Sequence, residues 1–266
     1  MAIDYIIDYP CVPKRAFTTD GIIERLKGED RAAAIIALFR ENGDDRPPSE
    51  MGFEFSRSAP NGEEQVRVIV VQDLLDAAAE LHTADGHCEG CPANRTGKPF
   101  GCMGFVQYPV SEQGELWLLN QLPMTTEPLV WLLLKQGLSE FDYDGASVRP
   151  LRAADGGVYF RTPLAPLRQL GEVRIDADQL FEMLFAVGHI NPNHAALLLL
   201  FLGGIDRDLE ADDIMHITPV PPDADTRHPF TIRAADDDDT TTLEIKGFVQ
   251  ALYLAWRLNV RLLVDS

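Results

Sequence analysis

The sequence predicts an α+β fold that is rich in helices and contains short antiparallel hairpins. Apolar residues recur at helical spacing in several segments, most clearly over residues 74–81. An Asn-Gly pair at Asn61-Gly62 separates two strand-like runs, which is a strong hairpin signal. The chain has 266 residues, of which 45% are hydrophobic and 24% charged, as in an ordinary globular protein with a substantial core.

The first half of the chain alternates between strands and helices. Ile3, Tyr5 and Ile7 alternate with their neighbours and predict an N-terminal strand. Gly28 is expected to separate two helices, and Asp73 is expected to cap a third. The predicted elements, in order, are a strand at the N-terminus, helices over 21–27 and 31–41, hairpin strands near 53–55 and 66–71 turned by Pro60-Asn61-Gly62, and a helix over 74–81.

The second half is predicted to be mainly helical before a mixed C-terminal end. Asp176 and Gln179 form a capping-box pattern at the start of a helix. The acidic run at residues 236–239 reads as a solvated turn, because consecutive acids lack the alternate spacing of a Ca²⁺ loop. The predicted elements are helices starting at Ser111 and spanning 129–136, 177–187, 195–202 and 248–258, a hairpin of 148–151 with 158–161, and strands over 230–233, 241–246 and 260–264.

Three regions are expected along the chain. Residues 1–125 hold all four cysteines, residues 126–217 are mainly helical, and residues 218–266 have the predicted order strand–strand–helix–strand. A single compact domain is the alternative, since 266 residues suit either arrangement.

The charge and hydropathy of the chain exclude several classes of partner. Its 42 acidic residues outnumber 23 Lys and Arg residues, which gives a formal net charge of −19. Such a surface repels phosphate backbones and anionic lipid, so we expect a protein partner rather than nucleic acid or a membrane. The longest apolar run, residues 195–205, is shorter than the roughly 20 residues of a membrane helix. Acids at the N-terminus argue against a signal peptide, so we expect a cytoplasmic protein.

The four cysteines predict a metal centre that staples distant parts of the fold. Cys88 and Cys91 form a C-x2-C pair, Cys102 follows in the same segment, and Cys11 lies far upstream between two prolines. In a reducing compartment such thiols indicate metal ligation before disulfides. We therefore expect Cys11, Cys88, Cys91 and Cys102 to converge on one metal, with Arg95 and Lys98 offsetting the negative charge of the thiolates. His82 and His87 are candidate replacement ligands.

The spacing favours a 4Fe–4S cluster, with zinc as the alternative. Structural zinc sites usually carry two C-x2-C-type pairs, whereas this chain has one. Pro92 follows Cys91, as proline follows the last cysteine of bacterial ferredoxin runs. One remote cysteine with a nearby trio also resembles the 4Fe–4S staples of some nucleic-acid enzymes. That resemblance covers about twenty residues and Cys11, and concerns spacing alone.

A second pattern resembles the PD-(D/E)xK nucleases. Asp223 follows Pro222, and Glu244-Ile245-Lys246 comes twenty residues later. The resemblance implies that Asp223 and Glu244 hold Mg²⁺ while Lys246 steadies an attacking water. The predicted C-terminal order of elements fits that fold, but the acidic surface and the polar Thr240-Thr241-Thr242 oppose it. A solvated hairpin with a surface Glu–Lys pair is the simpler interpretation.

Three functional hypotheses therefore stand together. The first is a non-enzymatic protein whose metal centre is structural and whose surface meets a protein partner. The second is a redox or sensing protein with a reactive 4Fe–4S cluster. The third is the metal-dependent nuclease.

Overall fold

The computed structural model describes residues 2–58, 64–218 and 220–265. Within that part of the chain the fold is α+β, as predicted, with eleven α-helices and small antiparallel sheets. The strands are β1 (Ala2–Ile7), β2 (Gly52–Ser58), β3 (Glu64–Val70), β4 (Met103–Gln107), β5 (Leu167–Leu170), β6 (Val173–Asp176), β7 (His189–Ile190) and β8 (Leu262–Asp265). The helices are α1 (Val12–Phe17), α2 (Thr19–Glu41), α3 (Val71–His82), α4 (Glu112–Gln121), α5 (Pro128–Glu140), α6 (Arg149–Arg152), α7 (Ala177–Phe185), α8 (Pro192–Phe201), α9 (Ala211–Met215), α10 (Ala224–Arg227) and α11 (Thr240–Arg257).

The chain divides into two compact units. Unit 1 comprises residues 1–9, 92–96 and 101–266, and unit 2 comprises residues 10–91 and 97–100. Unit 1 contains the antiparallel sheet β4-β1-β8-β7 and the two-stranded sheet β5-β6, whereas unit 2 contains the sheet β2-β3.

Unit 1 is organised around α11 and the four-stranded sheet. The Tyr5 ring of β1 meets the Phe248 ring of α11 edge to face, with centroids 5.1 Å apart. Trp256, also on α11, is fully buried, and its indole N–H donates to the carbonyl oxygen of Ile217 at 3.1 Å. The nearly all-apolar α8 is buried on most of its surface, as its sequence predicts.

Unit 2 packs α2 against α3 beside the β2-β3 hairpin. The Asn61-Gly62 signal predicted this hairpin, and the strand pairing from Gly52↔Val70 to Ser58↔Glu64 confirms it. The turn itself, with Pro60-Asn61-Gly62, lies outside the described residues.

One predicted helix boundary in unit 2 is wrong. Gly28 was expected to end a helix, but it lies inside the continuous helix α2 and is buried. A Cβ atom at Gly28 would lie 3.4 Å from a methyl group of Leu74 on α3. This glycine therefore allows α2 and α3 to pack closely and does not end a helix.

Four predicted strands do not form, all of them in unit 1. Residues 148–151 do not start a hairpin, because α6 forms there with Pro150 in its first turn, a position that suits proline. Phe160 of the predicted partner strand makes an isolated bridge to Val110 instead. Residues 230–233 are irregular and residues 241–246 belong to α11, so the predicted strand–strand–helix–strand order is wrong.

Candidate functional site

The predicted four-cysteine metal centre is contradicted by the structure. Among the residues that the structure describes, which include all four cysteines, no group of three or more His, Cys, Asp or Glu side chains is placed to hold a metal ion. All four thiols are half-buried. Cys11, Cys88 and Cys91 belong to unit 2, whereas Cys102 belongs to unit 1, where its carbonyl oxygen accepts from the Ile7 N–H at 3.1 Å. The metal-binding function, with its cluster and zinc versions, is therefore wrong.

The Cys88 thiol is instead part of the packing of unit 2. It lies against the apolar cluster of Ile22, Leu81, Ala84 and Phe100. Its sulfur accepts a hydrogen bond from the Phe100 N–H at 3.2 Å. Burial raises the pKa of the Cys88 thiol above its ordinary value, and the neighbouring Cys91 and Cys11 add to that rise.

The predicted replacement ligands are engaged elsewhere or exposed. The His82 ring nitrogens lie 3.0 Å from a Glu29 carboxylate oxygen and 3.1 Å from Asp85. Hydrogen bonds to Glu29 and then Asp85 raise the pKa of His82, so the two carboxylates stabilise its charged form. His87 is exposed.

The two predicted charge-compensating residues lie in different units. Lys98 is exposed in unit 2. Arg95 belongs to unit 1, where its guanidinium lies 5.9 Å from the Tyr5 ring centroid and donates to the Met103 carbonyl oxygen at 3.4 Å. Burial raises the pKa of Tyr5 to about 12, which keeps its hydroxyl neutral beside this arginine. Arg95 therefore stabilises the sheet of unit 1.

The nuclease pattern also fails in three dimensions. Asp223 precedes the short helix α10, and Glu244 and Lys246 both lie on α11, where side chains two positions apart do not face each other. A Glu244 carboxylate oxygen accepts from the Gln107 N–H at 2.7 Å, and Lys246 pairs with Asp238. Glu244 and Lys246 thus hold the fold of unit 1, and the nuclease hypothesis is wrong.

Three buried charged side chains of unit 1 form a structural cluster. The Arg152 guanidinium donates to a carboxylate oxygen of Asp178 at 2.7 Å, to the Thr162 carbonyl at 2.9 Å and to the Glu115 carboxylate. These three ionic side chains are at most 5% exposed. Burial raises the pKa of Glu115 and outweighs its hydrogen bonds from Arg152 and Thr162. The cluster links α4, α6 and α7 and is satisfied internally.

A groove between α4 and the start of α11 is the best candidate site. We call it the α4–α11 groove. Its volume is about 510 Å³, within the range of roughly 300–1,000 Å³ typical of ligand clefts. It is lined by Glu112, Gln113, Leu116, Trp117, Asn120, Ala235, Asp237, Asp238, Thr242 and Lys246.

Two helix caps and a glycine build the walls of this groove. The Ser111 hydroxyl accepts from the Gly114 N–H at 3.1 Å at the start of α4, and Asp239 accepts from the Thr242 N–H at 2.8 Å at the start of α11. A Cβ atom at Gly114 would lie 2.6 Å from a Thr241 methyl carbon. The glycine therefore lets the two helices approach closely enough to share one surface.

The base of the groove joins an ion pair to an aromatic ring. The Lys246 ammonium lies 2.6 and 2.7 Å from the two carboxylate oxygens of Asp238 and 5.3 Å from the Trp117 ring centroid. Burial by itself raises the pKa of Asp238, but the hydrogen bonds from Lys246 and Ala235 outweigh it and keep that pKa below its ordinary value. Lys246 is therefore neutralised within the groove.

The groove as a whole is apolar at its wall and negative at its rim. Leu116 is 41% exposed and Trp117 is half-buried. Glu112 and Asp237 are exposed. Three carboxylates therefore line the groove with a single ammonium, so its charge is net negative.

The acidic run at residues 236–239 is more than the solvated turn that its composition suggests. Asp239 caps α11, Asp238 holds Lys246, and the Asp237 carbonyl accepts from the Gln113 side chain at 2.6 Å. Sequence reasoning missed this site. The available signal was a tryptophan on a helix together with an acidic run directly before another helix.

A second cavity of about 660 Å³ lies beside the start of α5. Arg207 is the only basic side chain among its described lining residues. Its guanidinium donates to the carbonyl oxygens of Leu200 and Phe201, both at 2.6 Å, and to that of Gln121. The arginine thus satisfies the C-terminal ends of α8 and α4, which makes this a structural feature.

Comparison with known proteins identifies no family for this chain. No protein-family profile, curated protein or solved structure matches the chain. Within the described residues, no helix is both long enough and apolar enough to cross a membrane.

Proposed function

We propose that this protein is a binding protein, and that the α4–α11 groove holds a lysine- or arginine-bearing segment of a partner protein. One observation carries the proposal. The groove combines an exposed leucine and a half-buried tryptophan with a net negative lining. Aromatic anchors beside complementary charge are typical of interface hot spots.

The chemistry of the occupant follows from the positions of these groups. An aliphatic side chain of the partner would pack on Leu116 and Trp117, and flanking cations would meet Glu112 and Asp237. The net charge of −19 would also attract a basic partner at long range and raise its rate of association.

Binding suits the groove better than catalysis because its polar groups already support its shape. Lys246 is held by Asp238, and the Thr242 hydroxyl donates to Asp239 at 2.7 Å. The Gln113 amide binds the Asp237 carbonyl. We propose that this interaction takes place in the cytoplasm.

Fluorescence anisotropy with labelled peptides tests the proposal. The probe is a nine-residue peptide of alternating lysine and leucine, compared with a lysine–serine peptide and a glutamate–leucine peptide of equal length. We expect the lysine–leucine peptide to bind most tightly, because it supplies both the cation and the apolar contact.

Charge variants distinguish peptide binding in the groove from general electrostatic attraction to an acidic protein. Glu112→Lys should weaken binding of the lysine–leucine peptide about tenfold, which corresponds to about 1.4 kcal/mol. The matched control is Asp212→Lys on α9, which makes the same change in net charge at a side chain that is 88% exposed and outside the groove. Equal losses in the two variants would refute the proposal.

A further inference from the structure

We propose that Cys88 and Cys91 form a reversible dithiol–disulfide pair that hydroperoxides oxidise. This inference is independent of the α4–α11 groove and requires no metal. It rests on the backbone that connects the two cysteines within unit 2.

The two cysteines occupy the ends of a type II β-turn. Glu89 has φ −67° and ψ 128°, and Gly90 has φ +67°. The Cys91 N–H donates to the Cys88 carbonyl oxygen at 3.3 Å. These angles match the type II turn, which requires a positive φ at its third residue and therefore favours glycine there.

The turn places the two thiols within reach of each other. The first and last Cα atoms of a β-turn are less than about 7 Å apart, and disulfides span about 4.4–6.8 Å between Cα atoms. Both thiols are half-buried rather than fully enclosed, so a small oxidant has access to them.

The environment assigns different roles to the two sulfurs. Cys88 lies against an apolar cluster and its sulfur accepts the Phe100 N–H, and this packing limits the access of an oxidant to that sulfur. Cys91 is therefore the attacking residue. Its thiolate attacks one oxygen of hydrogen peroxide, the O–O bond breaks, and the products are a sulfenic acid and water after protonation.

The second step closes the disulfide. The Cys88 sulfur attacks the sulfenic sulfur of Cys91, the S–O bond breaks, and the oxygen leaves as a second water. The overall change is two thiols and one hydrogen peroxide to one disulfide and two waters. A dithiol reductant reverses it by thiol–disulfide exchange.

Peptide mapping of the full chain gives a direct test. Trypsin releases residues 68–95, with Cys88 and Cys91, separately from the peptides that carry Cys11 and Cys102. After equimolar hydrogen peroxide, the number of thiols titrated in denaturant should fall from four to two. The 68–95 peptide should become lighter by two hydrogen atoms, and dithiothreitol should reverse both changes.

Variants complete the test. Cys91→Ser should abolish the mass loss of the 68–95 peptide, and Cys102→Ser should leave it intact, with circular dichroism confirming that each variant folds. A disulfide that links the 68–95 peptide to the peptide of Cys11 or Cys102 would overturn the proposal. Conversion of single cysteines to sulfinic acid, or no loss of thiols, would overturn it as well.

Discussion

Replacement of Arg152 by methionine should destabilise unit 1 strongly. The guanidinium of Arg152 is the cation between Glu115 and Asp178, whose side chains are 0% and 4% exposed. Removal of one partner from a buried ion pair costs about 3–5 kcal/mol, because the remaining charge stays buried without compensation. We expect a loss in this range for Arg152→Met, which keeps most of the side-chain volume.

The pH dependence of this loss identifies its cause. Burial already raises the pKa of Glu115 in the folded protein above its unfolded value. Such a group favours folding below the unfolded pKa, and that contribution disappears as the pH rises through the folded pKa. Without Arg152 the folded pKa rises further, so the deficit should be largest at neutral pH and shrink as Glu115 becomes protonated in acid.

Tryptophan fluorescence during urea unfolding measures this effect. All three tryptophans, Trp117, Trp131 and Trp256, belong to unit 1, so their emission reports that unit. Adding Glu115→Gln to Arg152→Met should restore part of the lost stability at pH 7, because it removes one uncompensated charge. A deficit below about 1 kcal/mol, unchanged between pH 7 and pH 5, would refute the buried-charge explanation.

Two further predictions concern glycine packing and helix capping in unit 1. Gly104→Ala should destabilise the unit, because the new methyl group would collide with the Tyr5 phenol ring, whereas the methyl group of Gly137→Ala on α5 would have no atom within 4 Å and should stabilise the unit by about 0.5–1 kcal/mol. Urea unfolding of both variants measures this contrast, and similar changes in stability would contradict it. Asp176→Ala should lower the free energy of unfolding by about 0.5–2 kcal/mol, because it removes the cap that accepts the Gln179 N–H at 3.0 Å. Asp176→Asn is the control, and an alanine variant as stable as the asparagine variant would contradict the capping role.

Local signals in the sequence predicted the elements that depend on local interactions. The capping box of Asp176 and Gln179 is present as predicted, because its hydrogen bonds join residues three positions apart. The strands of the β2-β3 hairpin also pair as expected. In both cases the stabilising groups are close in sequence.

Elements that depend on distant contacts were predicted poorly. Residues 241–246 begin with β-branched threonines that favour a strand, yet they form the first turns of α11. Asp239 caps this helix, and burial of Ile245 and Phe248 in the core of unit 1 stabilises it. Tertiary packing therefore outweighs the local preference.

The cysteine spacing shows the same limit at the level of function. A C-x2-C pair indicates a tight turn, and the turn at Cys88–Cys91 is present. Convergence of four side chains on one point depends on contacts that spacing does not encode, and the described residues form no such group. The α4–α11 groove was missed for a related reason, since Trp117 and Asp238 are far apart in the sequence.

Nuclear magnetic resonance of the tryptophan indole groups tests the central claim most directly. Trp117 lines the α4–α11 groove, whereas Trp131 and Trp256 do not. Titration of the ¹⁵N-labelled protein with the lysine–leucine peptide should shift the Trp117 indole N–H resonance, assigned through its loss in Trp117→Phe, and leave that of Trp256 in place. A peptide that binds without moving the Trp117 resonance, or that moves only the others, would contradict the proposed site.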